Sequence, residues 1–402
     1  MTTVLISGAS IAGPALAYWL NRQGVTTTIV ERAPELRTGG QAIDLRGAGR
    51  EVARRMGIED AVRAAGTGEK GIEFVDATGK VKGAFAADDF ADGNGPTAEL
   101  EILRGDLARI LVDTVADDTE FLFGDSIAEI DDDGDQVHVV FASGIRRSFD
   151  FVVISEGMRS RTRRLVFDDA DAIRSLGMYT SYFTIPRTET DTDWAAWCSL
   201  PGSRSLFLRP DSHGTRRAAF SFMTDEQGFD DLDTSGQKKL LRQRFSDVGW
   251  EFPRVLDGMD DADDFYFEGL GQVKLPNWSK GRVVLVGDSA YCASPISGMG
   301  TSLSLVGAYV LAGELTGGDG RFARYEATMR PYVDEAQKLP PGAPRIANPK
   351  SRLGVRLFNG VIAIASSGLV RTLASRFTSP PAEKFTLPDH PHNVPARPQL
   401  GT

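Results

Sequence analysis

The chain of 402 residues is poor in the side chains that build metal centres and nucleophilic triads. It has two cysteines, Cys198 and Cys292, which cannot form a disulfide framework or a cysteine-rich zinc cluster. It has four histidines, His138, His213, His390 and His392, and no Ser-His-Asp set or metal-ligand set can be assembled around them. No metal is expected, and no side chain is singled out as catalytic. Positive charge is also in deficit, with 45 Lys and Arg against 55 Asp and Glu for a net charge of −10. That balance argues against a nucleic-acid groove and a generally membrane-attracted surface. No apolar run reaches the ~20 residues a spanning helix needs. The nearest approach, Ser351–Phe377, is interrupted by Arg356, Asn359 and Arg371, and is read as a long helix bracing two domains, with a membrane-surface helix as the alternative. No charged segment precedes an apolar one at the start, so a cytoplasmic location and no stable membrane insertion are expected. With 41% apolar and 25% charged residues, the composition is that of a globular protein of two or three domains.

What the chain does have is two glycine-bearing segments some 280 residues apart. The first runs Val4-Leu5-Ile6-Ser7-Gly8-Ala9-Ser10-Ile11-Ala12-Gly13. The second runs Val283-Val284-Leu285-Val286-Gly287-Asp288, followed by Pro295 and Gly298-Met299-Gly300. Each passes from an apolar strand through a tight turn into a helix, which presents backbone N–H groups to an anionic ligand. Val4–Ser7, a helix through Pro14–Asn21 and Thr26–Val30 form a βαβ unit of the length used for dinucleotides. Gly8 and Gly13 allow the turn and the close helix–strand packing, while Ser10 stands where the usual fingerprint has its central glycine. Glu31, with Arg32 beside it, falls 18 positions after Gly13, where a carboxylate can accept hydrogen bonds from a ribose diol. A nicotinamide-dependent short-chain dehydrogenase would need a Tyr with a Lys four residues on. None of the eight tyrosines has one. The pair of segments, in this order, points to FAD.

Three further stretches complete a family pattern. They are Gly39-Gly40-Gln41-Ala42-Ile43-Asp44-Leu45-Arg46-Gly47, Glu101-Ile102-Leu103-Arg104-Gly105-Asp106-Leu107, and Asp150-Phe151-Val152-Val153-Ile154-Ser155-Glu156-Gly157 continuing to Ser160 and Arg163. With the glycine segments they resemble the class A flavoprotein monooxygenases, the group of p-hydroxybenzoate hydroxylase and the tetracycline-inactivating monooxygenases. The resemblance runs from residue 4 to about 340. It implies that Asp44, Arg46 and Arg104 lie along the flavin and that Asp288 bonds the ribityl chain. It also implies that Gly287, Pro295, Gly298, Met299 and Gly300 frame the flavin ring. The departures are Glu156 for aspartate, Tyr291 where His is frequent, Met299 where Gln is frequent and Ser302 where Asn is frequent. What the resemblance implies chemically is reduction of FAD by NADPH or NADH, formation of a C4a-hydroperoxide from O2, and hydroxylation of an aromatic, phenolic or polyketide-like small molecule.

The expected fold is α/β. A Rossmann-like FAD-binding domain of three layers with a parallel sheet comprises residues 1–73, 97–175 and 276–340. An inserted antiparallel-sheet substrate domain comprises 74–96 and 176–275, and a C-terminal bracing helix and tail comprise 341–402. Strands are read at Met178–Pro186, Trp194–Leu200, Ser205–Arg209, Arg216–Met223 and Asp264–Val273. Trp197, Phe207, Phe220 and Phe222 are the aromatic candidates for the substrate surface. Asp88–Gly95 and Asp230–Ser235 are read as solvated loops, and the tail from Ser379 as extended. A monomer or homodimer is expected, with no second nucleotide fold, so that NAD(P)H docks transiently. Two other readings stay open: a dehydrogenase or reductase of the same fold without oxygen insertion, and a flavin- or ligand-sequestering protein without turnover.

Overall fold

The computed structural model describes residues 1–37, 39–87, 100–168, 171–339, 342–367 and 385–390. Its first sheet has six strands in the order Ser279–Lys280, Val283–Leu285, Phe151–Ile154, Thr3–Ser7, Thr26–Glu31 and Thr119–Phe123. All neighbours pair in parallel except the edge strand Ser279–Lys280. Unbroken apolar runs such as Val4-Leu5-Ile6 and Val283-Val284-Leu285 suit strands covered on both faces, and those six residues are solvent-free or nearly so. The helices Ala12–Asn21 and Gly300–Leu315 pack against each other on this sheet. The second is apolar all round and buried along almost its whole length, as a helix inside a core must be. A three-stranded antiparallel sheet, Ile127–Asp132, Val137–Phe141 and Arg146–Phe149, adds Val137, Val139 and Phe141 to the same core. The Rossmann-like α/β fold expected from the sequence is present.

The second sheet has seven strands in the order Tyr266–Val273, Ile173–Pro186, Thr215–Met223, Arg204–Pro210, Ala195–Leu200, Gly71–Val75 and Val81–Ala86. It is not antiparallel throughout: Ala195–Leu200 pairs in parallel with Gly71–Val75, a strand from a much earlier stretch of chain. Only neighbours joined by a tight hairpin are obliged to run antiparallel. One face carries a second core of Phe183, Phe220, Phe222 and Leu206. Over it lie the helices Thr234–Phe245 and Phe252–Asp261. Phe252–Asp261 presents Phe252, Val255, Leu256 and Met259 inward, a helical spacing that the sequence reading passed over. Asp230, expected in a solvated loop, accepts from the Gly269 amide at 2.6 Å and pairs with Arg159 at 2.8 Å.

Of the expected helix Ser351–Phe377, the described part is Arg352–Ala365, capped where the Ser351 hydroxyl accepts from the Gly354 amide at 3.0 Å. The helix ends at Ser366, and residues 368–377 lie outside the described residues, as do Asp88–Gly95 and most of the tail. Within the tail, Phe385 stacks on Tyr332 with ring centres 4.5 Å apart, and Tyr309 donates to the Pro388 carbonyl at 3.0 Å.

Candidate active site

Parallel strands deliver their C-terminal ends to one edge of the sheet, and three of the motifs meet there. Ser155 donates to the carbonyls of Ser7 at 2.9 Å and Gly8 at 3.0 Å. A Cβ on Gly8, whose φ is +113°, would stand 2.6 Å from the Ser155 carbonyl oxygen. One on Gly13 would strike the Gly8 carbonyl oxygen. Both glycines are thus required by contacts of the protein with itself, before any ligand is considered. Gly287 lies against Ala12, so the two glycine segments adjoin in space.

Glu156 anchors the third motif. Its carboxylate accepts from the hydroxyls of Ser7, Ser160 and Thr162 and from the Thr162 amide. Ser160 also caps the helix Arg161–Val166 by accepting from the Arg163 amide. The buried Arg163 guanidinium donates to the Ser289 carbonyl at 3.0 Å, and the Ser289 hydroxyl accepts from the Gly157 amide at 2.9 Å. The longer glutamate therefore spans between strand and helix and fixes both.

At the next strand end, Glu31 accepts from the Ala9 amide at 3.0 Å and the Ala33 amide at 2.9 Å. One bond goes to each oxygen, which leaves lone pairs free on both. Ser10 is half-buried in the turn, Ile11 precedes the helix that opens with Ala12 and Gly13, and Arg32 is exposed. The stretches around Asp44 and Arg104 come together as an antiparallel pair, Ala42–Asp44 with Glu101–Leu103. Arg46 is held by Asp44 at 2.9 Å, whereas Arg104 is exposed.

The second glycine segment faces open space. Among the described residues, and apart from its chain neighbours, nothing lies within 4 Å of a Cβ built on Gly298, and beyond its own helix the nearest atom to one on Gly300 is an Asp288 carboxylate oxygen at 3.9 Å. Pro295 is exposed and Met299 buried. Gly300 opens the long buried helix, so that helix directs its positive end here. Burial pushes the Asp288 carboxyl up from its ordinary range, while the Arg104 charge opposes the shift. The Cys292 thiol is pushed well up by burial, which leaves it inert.

The opposite wall is the face of the second sheet that points away from the second core. Tyr182 stands across from Tyr266, and Thr180 from Glu268. The Tyr266 hydroxyl donates to Glu268 at 3.0 Å. Burial raises the Glu268 carboxyl and the Tyr182 and Tyr266 phenols, and the Arg104 guanidinium acts on all three as well as on Asp288. Glu268, Tyr182, Tyr266 and Asp288 therefore all lie within electrostatic reach of Arg104. Sequence reasoning missed Tyr182, Tyr266 and Glu268. The alternation Phe265-Tyr266-Phe267-Glu268 was the available signal, with Phe267 in the second core and its neighbours turned the other way.

Further along the same face, Trp197 pairs across the strands with Phe207 at 5.1 Å between ring centres. Phe220 and Phe222 do not join them. Both are fully buried in the second core, where Phe220 stacks on Phe245 at 4.5 Å and Phe222 on Tyr179 at 5.6 Å. Side chains at successive positions of a strand face opposite ways, and the two helices cover the face that these phenylalanines occupy. Beyond Phe207, Arg209 pairs with Glu69 at 2.7 Å and with Glu101, tying this sheet to the Glu101–Leu103 strand. Two buried carboxylates share that one guanidinium, and Glu101 is pushed up to about 7.

A parallel sheet whose glycine turns converge at one edge, beneath a second sheet with an aromatic and acidic face, is the framework of a dinucleotide-binding oxidoreductase with a substrate sheet attached. The FAD binding domain family matches residues 1–336. A flavin-dependent monooxygenase of an unknown prokaryotic organism is 41% identical over 83% of the chain and 87% of that protein. One from Legionella longbeachae is 39% identical over 84% and 87% respectively. The crystal structure of tetracycline destructase Tet(51) superimposes with a TM-score of 0.78 at 32% identity, covering 97% of this chain and 99% of that one. The chain belongs to the family of flavin-dependent monooxygenases built on this FAD binding domain.

Proposed function

We propose that this protein is an NAD(P)H-dependent hydroxylase of an aromatic, phenolic or polyketide-like small molecule, working as a cytoplasmic monomer or homodimer. The observation that carries the reading is the uncrowded backbone at Gly298 and Gly300, at the start of a buried helix that packs against the helix following the Gly8–Gly13 turn. It is a cradle that a Cβ would fill, and it fits FAD. The chemistry supplied by bound FAD is hydride uptake from NAD(P)H, then transfer of one oxygen atom of O2 to an electron-rich carbon while the other leaves as water.

The chain's own residues do the rest. The Ser10–Gly13 turn and the helix behind it receive the pyrophosphate, with Arg46 along the cofactor. The free lone pairs of Glu31 accept from the adenosine ribose, and Asp288 accepts from the ribityl hydroxyls. Gly298, Met299 and Gly300 let the ring lie against the backbone. There the positive end of the Gly300–Leu315 helix stabilises the negative charge that reduction brings. Arg104, between the two walls, balances Asp288 and Glu268. Trp197 and Phe207 flank the substrate's flat surface, and Glu268 with Tyr266 holds its polar edge. On this reading residues 1–73, 97–175 and 276–340 bind the cofactor, and 74–96 with 176–275 bind the substrate. The experiment is to follow NADPH and NADH consumption against a panel of phenolic and polyketide compounds under labelled O2. One labelled oxygen atom in a product supports the proposal. Substrate-driven NAD(P)H loss without incorporation would mark a reductase instead.

A further inference from the structure

The Arg352–Ala365 helix has one face on the protein and one exposed face. Inward, Phe358 meets Phe74 at 6.0 Å between ring centres, and Ile362 lies against Gly83. Outward, Leu353, Leu357, Val361 and Ile364 are each at least 63% exposed. Their spacing of four, four and three residues lines them up as one stripe along three turns. Arg352 and Arg356, both exposed, border the stripe, and exposed Lys350 precedes the helix. Neither arginine has a carboxylate partner among the described residues. The surrounding sequence is as one-sided: from Ala336 to Ala382 there are seven lysines and arginines and no Asp or Glu, in a chain of net charge −10. Cationic charge is therefore concentrated beside the aliphatic row, against the trend of the whole molecule.

A row of four open aliphatic side chains is a place where something binds. A second copy related by a twofold axis would set each stripe, with its arginines, against the same stripe and the same arginines. An anionic lipid surface suits both halves of the pattern. We propose that this helix docks the protein on a bilayer containing anionic lipid, lying in the plane of the interface. The aliphatic stripe enters the acyl boundary, and Lys350, Arg352 and Arg356 stand among the headgroups. No described helix is long and apolar enough to cross a membrane, so the attachment is peripheral. Docking in this way also sets the aromatic end of the open sheet face beside the bilayer. The helix just before this one reaches that face through the Ala347 carbonyl, which accepts from the Ser199 hydroxyl at 3.0 Å.

The test is co-sedimentation of the full chain with vesicles of pure phosphatidylcholine and with vesicles containing about one-third phosphatidylglycerol, at low and high salt. Binding to the anionic vesicles alone, reversed by salt, is expected. Arg352→Gln with Arg356→Gln should lower that partition roughly 30-fold, the product of two lost headgroup attractions. Leu357→Asp with Val361→Asp should abolish binding, with flavin content and thermal melt unchanged because both side chains are exposed. A wild-type chain that ignores anionic vesicles overturns the proposal, whatever the variants do. So does a Leu357→Asp, Val361→Asp variant that binds as wild type. If the wild type ignores vesicles but sediments as a dimer that this double variant splits, the stripe belongs to a second copy.

Discussion

The hydroxyl of Tyr291 occupies the space that a side chain at Gly307 would fill. Tyr291 stands where the resembling family often has His, and its hydroxyl lies 3.0 Å from that of Tyr325, which donates to the Leu285 carbonyl at 3.1 Å. A Cβ on Gly307 would overlap the Tyr291 oxygen. Gly307→Ala should therefore destabilise the protein by about 1–3 kcal/mol, the usual cost of overpacking a tight core. In a Tyr291→Phe background the same substitution should cost less, because the Cβ then faces a ring carbon at 3.2 Å. A double-mutant cycle of thermal or denaturant melts measures the coupling, and strict additivity would show that the two positions are independent.

Glu31 accepts from the Ala9 amide of the glycine turn and from the Ala33 amide just beyond its own strand, which ties the two segments together. Glu31→Ala should weaken FAD binding by roughly 1–3 kcal/mol, measured by titrating flavin into apoprotein. Turnover at saturating FAD should largely recover. A rate loss of many orders of magnitude under saturation would assign Glu31 to the chemistry.

On the sheet face proposed to bind substrate, Glu268→Ala should leave flavin content intact and lower kcat/KM roughly 10- to 100-fold for whichever compound drives NAD(P)H consumption, the loss for a hydrogen bond to a charged group. Unchanged kinetics with that compound would remove Glu268 from the substrate's path.

Glu101 gives stability a pH dependence of known sign. Folding raises its carboxyl from the ordinary 4.5 to about 7, because burial, with the Glu69 and Asp44 carboxylates nearby, disfavours its charge more than Arg209 favours it. Below 4.5 both folded and unfolded chains hold the proton. Between 4.5 and 7 the unfolded chain releases it first, so this group's contribution falls as pH rises, and above 7 the loss is complete. Glu101→Gln should flatten the melting temperature against pH across that window. A variant that keeps the wild-type slope would show that the proton belongs elsewhere, Glu69 being the first place to look.

What could be read from the sequence was what a single local constraint determines. Gly8 and Gly13 were legible because a turn from strand to helix admits no Cβ against the Ser155 and Gly8 carbonyls. Most strands of the two sheets were legible as apolar runs or alternations, but Thr119–Phe123, Gly71–Val75 and Val81–Ala86 were not among those read. Alternation divides a strand's residues into two sets without saying which set faces a cleft. Phe220 and Phe222 looked like substrate aromatics until the Phe252–Asp261 helix was seen to cover their side of the sheet. Glu268 and Tyr266 went unnoticed for the converse reason: their meaning comes from Arg104 and Asp288 across the cleft, residues distant in sequence. Glu156, by contrast, read as a departure from a motif, and its hydrogen bonds to Ser7, Ser160 and Thr162 give that departure a structural duty.

The most direct test of the account is the FAD affinity of Gly300→Val set beside the melting temperature of its apoprotein. Among the described residues outside its own helix and chain neighbours, the nearest atom to the added Cβ is 3.9 Å away, and the position opens a helix, where a residue with a side chain is favoured over glycine. The apoprotein should melt at or slightly above the wild-type temperature, while FAD binding weakens at least about tenfold through contact with the ring and displacement of the helix end. A variant with wild-type FAD affinity and wild-type coupled turnover would contradict the placement of the flavin against Gly298-Met299-Gly300.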